Sequence, residues 1–490
     1  MDRGVAAGLL LWMAACPGGD EGTSATTRAS ADTRASSGPG ETGSSTGSTG
    51  EPTTGPGSTG SATGTTAVTS ATTGEPTTGA PTTGAPGTTD ASESEGTTGS
   101  SPPTTVQVSA GGSHTCALSD TGRVRCWGHG LHTGHGNTEV IGDDEPASAA
   151  EDVDVGGPVI KLAAGTSHTC ALLAGGTVRC WGQNTYGELG YGHTERIGDD
   201  ETPASAGDVD VGGHVIDVSA GENITCAVLD GGNVRCWGRG IYGALGRGNT
   251  DNVGDDETPA SVGDVDLGAT ASAIAAGGSF TCALVTGQAA KCWGAGGMIG
   301  AGNLDKIGDD ETPAAIGPVE VGGAVEVIEA GYQSTCALLV GGALRCWGSG
   351  GSGALGYGHV KDIGDDESPA SAGDVSVGEA VVAATVGTRF SCALLASGSV
   401  RCWGENTYGQ LGLGHTTAIG DDELPSSAPV VDLGGAVTAI DAGYFHACAL
   451  LTSGAVRCWG DAQHGQLGLG SKERVGDDES PGSVGEVPIW

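Results

Sequence analysis

Fourteen of the 15 cysteines come in pairs, and a fixed short spacing between cysteines serves either a disulfide or a metal. The pairs are Cys116 and Cys126, Cys170 and Cys180, Cys226 and Cys236, Cys282 and Cys292, Cys336 and Cys346, Cys392 and Cys402, and Cys448 and Cys458. Zinc would want four ligands. A His stands two residues before the first Cys only at His114, His168 and His446; elsewhere that place holds Ile224, Phe280, Ser334 or Phe390. Seven disulfides are therefore the expectation, each closing a short loop worth roughly 2.5–3 kcal/mol in the chain-entropy model.

A second recurrent group is Gly-Asp-Asp-Glu, preceded by Ile or Val. It supplies the pairs Asp143-Asp144, Asp199-Asp200, Asp255-Asp256, Asp309-Asp310, Asp365-Asp366, Asp421-Asp422 and Asp477-Asp478. Clustered carboxylates are hard-oxygen ligands of the kind calcium takes. The same string also suits a plain turn, with Asp bonding backbone N–H groups and the Ile or Val tucked into the fold. Both readings stay open. Arg125, Arg179, Arg235, Arg345, Arg401 and Arg457 each stand two residues before a Trp, on the same strand face, and stacking on that Trp is expected. No nucleophile–base constellation or phosphate loop emerges. Gly348, Gly350 and Gly353 match a dinucleotide-loop spacing, but no helix follows and glycine is everywhere. His193, His359 and His415 recur at one repeat position and read as a loop preference.

The elements that carry these residues are strands. Val215-Ile216-Asp217-Val218 is β-branched and runs to Gly221. In the second unit Leu173 should pair with Thr177 across Ala174-Gly175-Gly176, with Gly at the left-handed position. Counting outward puts Leu172 opposite Val178, Ala171 opposite Arg179 and Cys170 opposite Cys180. A fourth, edge-like strand is expected at Asp208-Val209-Asp210-Val211. One such sheet could not bury both faces, but seven stacked radially could. The fold class is thus all-β: a seven-bladed propeller of four-stranded antiparallel blades over residues 106–490. Repeats that begin and end in one phase predict that Val106-Gln107-Val108 and Val487-Pro488-Ile489-Trp490 close the ring within one blade.

The string His168-Thr169-Cys170-Ala171-Leu172, Val178, Trp181-Gly182, Asn184, Tyr186-Gly187 and Leu189-Gly190 resembles the repeat of the regulator of chromosome condensation family. Asn406-Thr407-Tyr408-Gly409-Gln410-Leu411-Gly412 carries the likeness in the sixth unit. The resemblance implies a seven-bladed propeller; for the family's founder it implies nucleotide exchange on a nuclear GTPase. Unit one departs from the pattern at Leu131-His132-Thr133-Gly134-His135-Gly136. Unit four departs at Gly296-Gly297-Met298-Ile299 and at Lys291.

Ahead of the repeats, Arg3, an apolar run over residues 5–13 and Met13-Ala14-Ala15-Cys16 read as a secretory leader. The last four resemble a bacterial lipobox, which would put a lipid on Cys16 and account for the odd cysteine. The run is too short to span a bilayer, so the membrane is reached only through that anchor. Residues 16–105 are Thr, Ser, Gly, Pro and Ala with scattered acids, a composition that cannot offset the entropy of ordering. They read as a disordered stalk, with an r.m.s. reach of roughly 50 Å. Localisation at the cell envelope, on the outer-membrane surface or outside the cell, follows.

The net charge of −39, from 59 acids against 20 Lys and Arg, repels phosphate backbones and excludes nucleic acid as a partner. A non-enzymatic binding module for a protein or polymer, possessing no cofactor except an optional calcium and favouring basic ligands, is the leading function. An enzyme-inhibitory propeller or an unrecognised secreted hydrolase is the alternative; nucleotide exchange ranks last. Near-identical loops speak against a hydrolase, because an active site needs one unit to be special.

Overall fold

A computed structural model describes residues 102–490, so the leader, Cys16 and nearly all of the stalk lie outside the described residues. Seven three-stranded antiparallel sheets follow one another along the chain. Blade 1 comprises Thr105–Ala110, His114–Ser119 and Val124–Gly128; blade 2 comprises Val159–Ala164, His168–Leu173 and Val178–Gly182. Blades 3, 4, 5 and 6 lie within residues 215–238, 271–294, 325–348 and 381–404, and blade 7 ends the series with Val437–Ala442, His446–Leu451 and Val456–Gly460. The first strands line a central channel.

The second hairpin of each blade has the expected register. In blade 2, Leu172 faces Val178, Ala171 faces Arg179 and Cys170 faces Cys180. Leu173 and Thr177 close the loop by hydrogen bonding, with Gly176 at φ 75°. Stepping back from that hydrogen-bonded pair alternates the pair type, so Cys170 and Cys180 fall on a closely spaced, non-hydrogen-bonded pair. Their Cα atoms are 4.1 Å apart and the sulfurs are joined, as in the other six pairs.

The expected fourth strand is reduced to one ladder bond. Val209 N–H donates to Val178 O at 2.9 Å, and then Val211 N–H turns back onto Val209 O at 2.9 Å. That tight turn ends the pairing, so the blades have three strands, each flanked by a short buried Val-x-Val segment. Val209 and Val211 are buried and seal the outer edge.

Blades lock to one another at their tryptophans. All seven Trp that follow the second Cys are fully buried. Trp293 Nε1 donates to Ala244 O of the preceding blade at 2.9 Å, and Trp459 Nε1 to Gln410 O at 2.9 Å. The ring closes by the same device, because Trp127 of blade 1 donates to Gln466 O of blade 7 at 2.9 Å. The termini therefore do not share a blade. Val487 N–H bonds Val456 O in blade 7, while Trp490 reaches over to Thr105 Oγ1 of blade 1 at 3.0 Å. The reason is phase: the Val-x-Ile at 487–489 is the seventh copy of the flanking segment and pairs with the third strand of its own blade, while blade 1 holds three strands of its own.

The arginines other than Arg457, which bonds Pro481, Gly482 and Gly485 O of its own unit, also act across these seams, and they do not stack on the Trp two residues on. Arg179 Nη1 of blade 2 donates to Val155 O at 2.7 Å, and Arg401 Nη1 of blade 6 to Val377 O at 2.8 Å. Lys291 of the divergent fourth unit does the same job, to Leu267 O at 2.8 Å. Arg179 is held in turn by Asp208, and Arg235 and Arg345 by Asp264 and Asp374. Where Val430 or Glu486 replaces that Asp, the Nε of Arg401 or Arg457 is left without a partner.

Candidate binding face

The direction of the strands decides which loops share a face. The loop from first to second strand and the loop after the third strand emerge at one end of every blade, here the upper face. The hairpin between second and third strands emerges at the other. The Gly-Asp-Asp-Glu string belongs to the upper face, since the Ile or Val before it bridges back to the Gly that ends the third strand, as Ile197 does to Gly182.

That string is first a seam. A Cβ on Gly254 would lie 2.2 Å from Gly187 O of the neighbouring blade, and one on Gly308 would lie 2.3 Å from Gly243 O. Their φ angles of 100° and 102° also demand glycine. The carboxylates behind it gather. In the triads at 143–145, 199–201, 255–257, 309–311 and 365–367 the candidate ligand atoms all lie within 4.8 Å of one another. Burial, then the adjacent Asp200 and Asp199, push Glu201 up to about 7. The same causes from Asp256 and Asp255 push Glu257 to about 6. Glu145, Glu423 and Glu479 are raised for the same reasons. Calcium takes about six to eight oxygens, so one triad, giving one oxygen per carboxylate, would supply at most half and water the remainder. The residues fit a weakly held calcium, and without one they crowd negative charge onto this face.

At the centre of the same face the seven inner loops converge on the channel mouth. Gly112 N–H bonds Thr166 O at 3.0 Å, Thr166 N–H bonds Gly221 O at 3.0 Å, and Tyr444 N–H closes the ring on Gly111 O at 3.2 Å. The side chains here are not symmetric. Gly112, Thr166, Glu222, Gly278 and Thr388 occupy the position where blades 5 and 7 carry Tyr332 and Tyr444. Those two rings lie 5.3 Å apart, Phe445 packs 4.9 Å from Tyr444, and Tyr408 packs 4.9 Å from Phe445. Arg474 sits over Tyr408 at 4.8 Å. Burial, then the Tyr332 hydroxyl, push the Tyr444 phenol upward. Beside this cluster a cavity of about 270 Å³ is lined by Tyr408, Tyr444, Phe445, Asp461 and His464, among others.

The profile of the RCC1-like domain matches residues 131–487, and that of the RCC1 repeat matches residues 105–132. The chain belongs to the RCC1-like domain family. The ultraviolet-B receptor UVR8 of Arabidopsis thaliana is 31% identical to this RCC1-like chain over 316 residues, which are 64% of the chain and 67% of the receptor. The human E3 ubiquitin-protein ligase HERC2 is 30% identical over 250 residues, half of this chain but only 5% of the ligase. Among solved structures, yeast RCC1 (Prp20) bound by Kap60 superposes with a TM-score of 0.58 at 20% identity, covering 79% of this chain and 85% of that one. Human WBSCR16 superposes with a TM-score of 0.56 at 18% identity, covering 70% and 86%. These likenesses show the fold.

Within this RCC1-like propeller, Cys16 lies outside the described residues, and the fourteen paired cysteines sit in the hairpins away from either face. Among the described residues no helix is long and apolar enough to cross a membrane. Two groups escaped the sequence reading. The channel, a cavity of about 440 Å³, carries Lys161 paired with Asp217, and also Glu329 and Asp441. Burial, then Asp441, push Glu329 up to about 8. Asp441 is pushed by burial to about 6, although Ala110 N–H of blade 1 donates to it at 2.9 Å. They stand at alternate positions of four first strands, and only ring closure brings them together. The second group is a run of histidine rings across blade 1: His114 lies 5.4 Å from His132, His132 lies 4.7 Å from His129, and His129 lies 5.2 Å from His464 of blade 7.

Proposed function

We propose that this chain is a lipid-tethered, non-enzymatic propeller that captures a basic protein partner on its upper face. The observation that carries the reading is the break in symmetry at the channel mouth. Four half-buried aromatic rings from blades 5, 6 and 7 stand inside a rim of acidic triads. Tyr and Arg dominate binding hot spots, and rings fixed by their neighbours lose little entropy on contact. Relatives of the same fold are protein binders by their own description: yeast RCC1 is bound by Kap60, and Prp20p binds Gsp1p and histones.

The acidic rim adds steering. A ring of like charge raises the local potential, speeds encounter with cationic partners and makes the rate fall as salt rises. Anchoring through a lipid on Cys16, with residues 16–105 as a spacer at the envelope surface, would leave this face free to search. The test is capture from outer-membrane and culture fractions, followed by reconstitution with the purified partner. A basic partner whose association slows with salt supports the reading. Association that ignores both salt and Asp→Asn changes in several adjacent triads would refute the acidic rim.

A further inference from the structure

We propose that the cavity beside Phe445 is a lysine subsite. It takes the alkylammonium head of a partner's lysine, bare or methylated, against the rings of Tyr408, Tyr444 and Phe445 and the carboxylate of Asp461. The inference rests on the reading of the upper face as a capture surface for a basic protein, and it names the group that is captured. The cavity, about 270 Å³, is lined by those four residues, by Gln463 and His464, and by glycine and hydroxyl residues of blades 1 and 2.

The rings have the right arrangement. Tyr444 and Phe445 meet at 83° with centroids 4.9 Å apart, the edge of one on the face of the other. In the corner of such a T, a group about 3.5 Å from both ring planes is in van der Waals contact with each and lies roughly 4 and 5 Å from the two centroids. A cation–π contact reaches to about 6 Å, so one ammonium there engages both rings. Tyr408 adds a third wall, tilted 42° to Phe445 at 4.9 Å. Rings at this loop position already hold cations: Arg474 lies 4.8 Å from the Tyr408 centroid, and Arg239 lies 4.7 Å from that of Tyr186. Arg474 stands outside the cavity lining.

Asp461 selects for charge. It is the one carboxylate of the lining, and it is half-buried. One of its oxygens accepts from Gln466 Nε2 at 2.9 Å, and no Lys or Arg of the described residues pairs with it. Aromatic walls alone take any apolar group; a carboxylate without its own cation favours an ammonium among them. The arrangement belongs to blade 7. At the place of Phe445 the other blades carry Ser113, Ser167, Asn223, Ser279, Gln333 and Arg389. Blade 6, which has Glu405 at the place of Asp461, is the blade with Arg389.

The full chain carrying Cys16→Ser, which takes no lipid, is titrated by saturation-transfer NMR with three capped peptides. They are Gly-Lys-Gly, its trimethyllysine form, and Gly-norleucine-Gly, which keeps the carbon stem without the nitrogen. Both lysine peptides are expected to saturate, about fivefold or more tighter than the norleucine peptide. Phe445→Leu removes the ring and Asp461→Asn the charge, and each should bring that ratio down towards one. A general loss of packing would weaken all three peptides together and leave the ratio unchanged. Equal binding of norleucine and lysine by the parent chain, no saturation by lysine at tens of millimolar, or an unchanged ratio in both variants overturns the subsite. No protein partner enters this titration, so its failure removes the lysine subsite and leaves partner capture standing on its own test.

Discussion

His446 Nε2 lies 2.8 Å from Thr115 Oγ1, so the last blade reaches the first by the contact that also joins His114 to Thr169 and His168 to Thr225. All three histidines are fully buried. The hydroxyl of Thr115 also donates to Gln466 O at 2.9 Å, which leaves the imidazole to donate to the hydroxyl. Thr115→Val keeps the shape but orphans both partners. The expected cost is about 2–3 kcal/mol, since two buried polar groups lose their bonds. Hydrogen exchange should quicken along Thr105–Ala110 and Val437–Ala442 and stay slow in blades 3 to 5. Uniform acceleration around the ring would mean that closure is not a local seam.

The buried acids and histidines give stability a maximum in pH. Glu329 and Glu201, at about 8 and about 7 in the fold, hold protons that the unfolded chain has released. Their contribution is complete below an ordinary glutamate pKa and is lost as pH rises through 7 and 8. His446 and His168, lowered to about 3 and about 4 by burial, do the reverse, and stability falls as pH drops below 6.5. Melting temperature should peak between pH ~5 and ~6.5 and decline on both sides. Glu329→Gln should flatten the alkaline limb; an unaltered limb in that variant would contradict the assignment.

Gln288 holds φ 57° at the hairpin position where Gly176, Gly232 and Gly342 hold 75°, 84° and 86°. A side chain in the left-handed region costs about 1 kcal/mol or somewhat more. Gln288→Gly should therefore stabilise the chain by about 1 kcal/mol, offset in part by glycine's greater freedom when unfolded, as read by denaturant midpoint. A lower midpoint would show that Gln288 earns its place through contacts.

How much of this was legible in the sequence depends on range. The pairing of Cys170 with Cys180 followed from a loop of three residues, because hairpin register is set locally. The seven blades followed from the repeat. The flanking Val209-Asp210-Val211 was overread as a strand, since alternation alone cannot reveal that Val211 turns back on Val209. Arg179 was expected on Trp181, yet Trp181 is sealed in the core and Val155 O waits across the seam. The mouth was not legible at all. Tyr332 and Tyr444 stand 112 positions apart in the numbering and meet only because the ring curves. The string Gly-Asp-Asp-Glu drew notice for its carboxylates, while its most demanding residue is the glycine.

Capture on the upper face is tested most directly by comparing two substitutions against one purified partner in an interferometric binding assay. Tyr444→Ala combined with Phe445→Ala removes the centre of the aromatic cluster. Val340→Ala, at a hairpin tip on the lower face where the side chain is 58% exposed, serves as the control. Loss of two aromatic anchors should weaken binding by about 100-fold or more, chiefly through faster dissociation, with the control unchanged. Full affinity in the double variant, or an equal loss from Val340→Ala, would contradict the upper-face assignment.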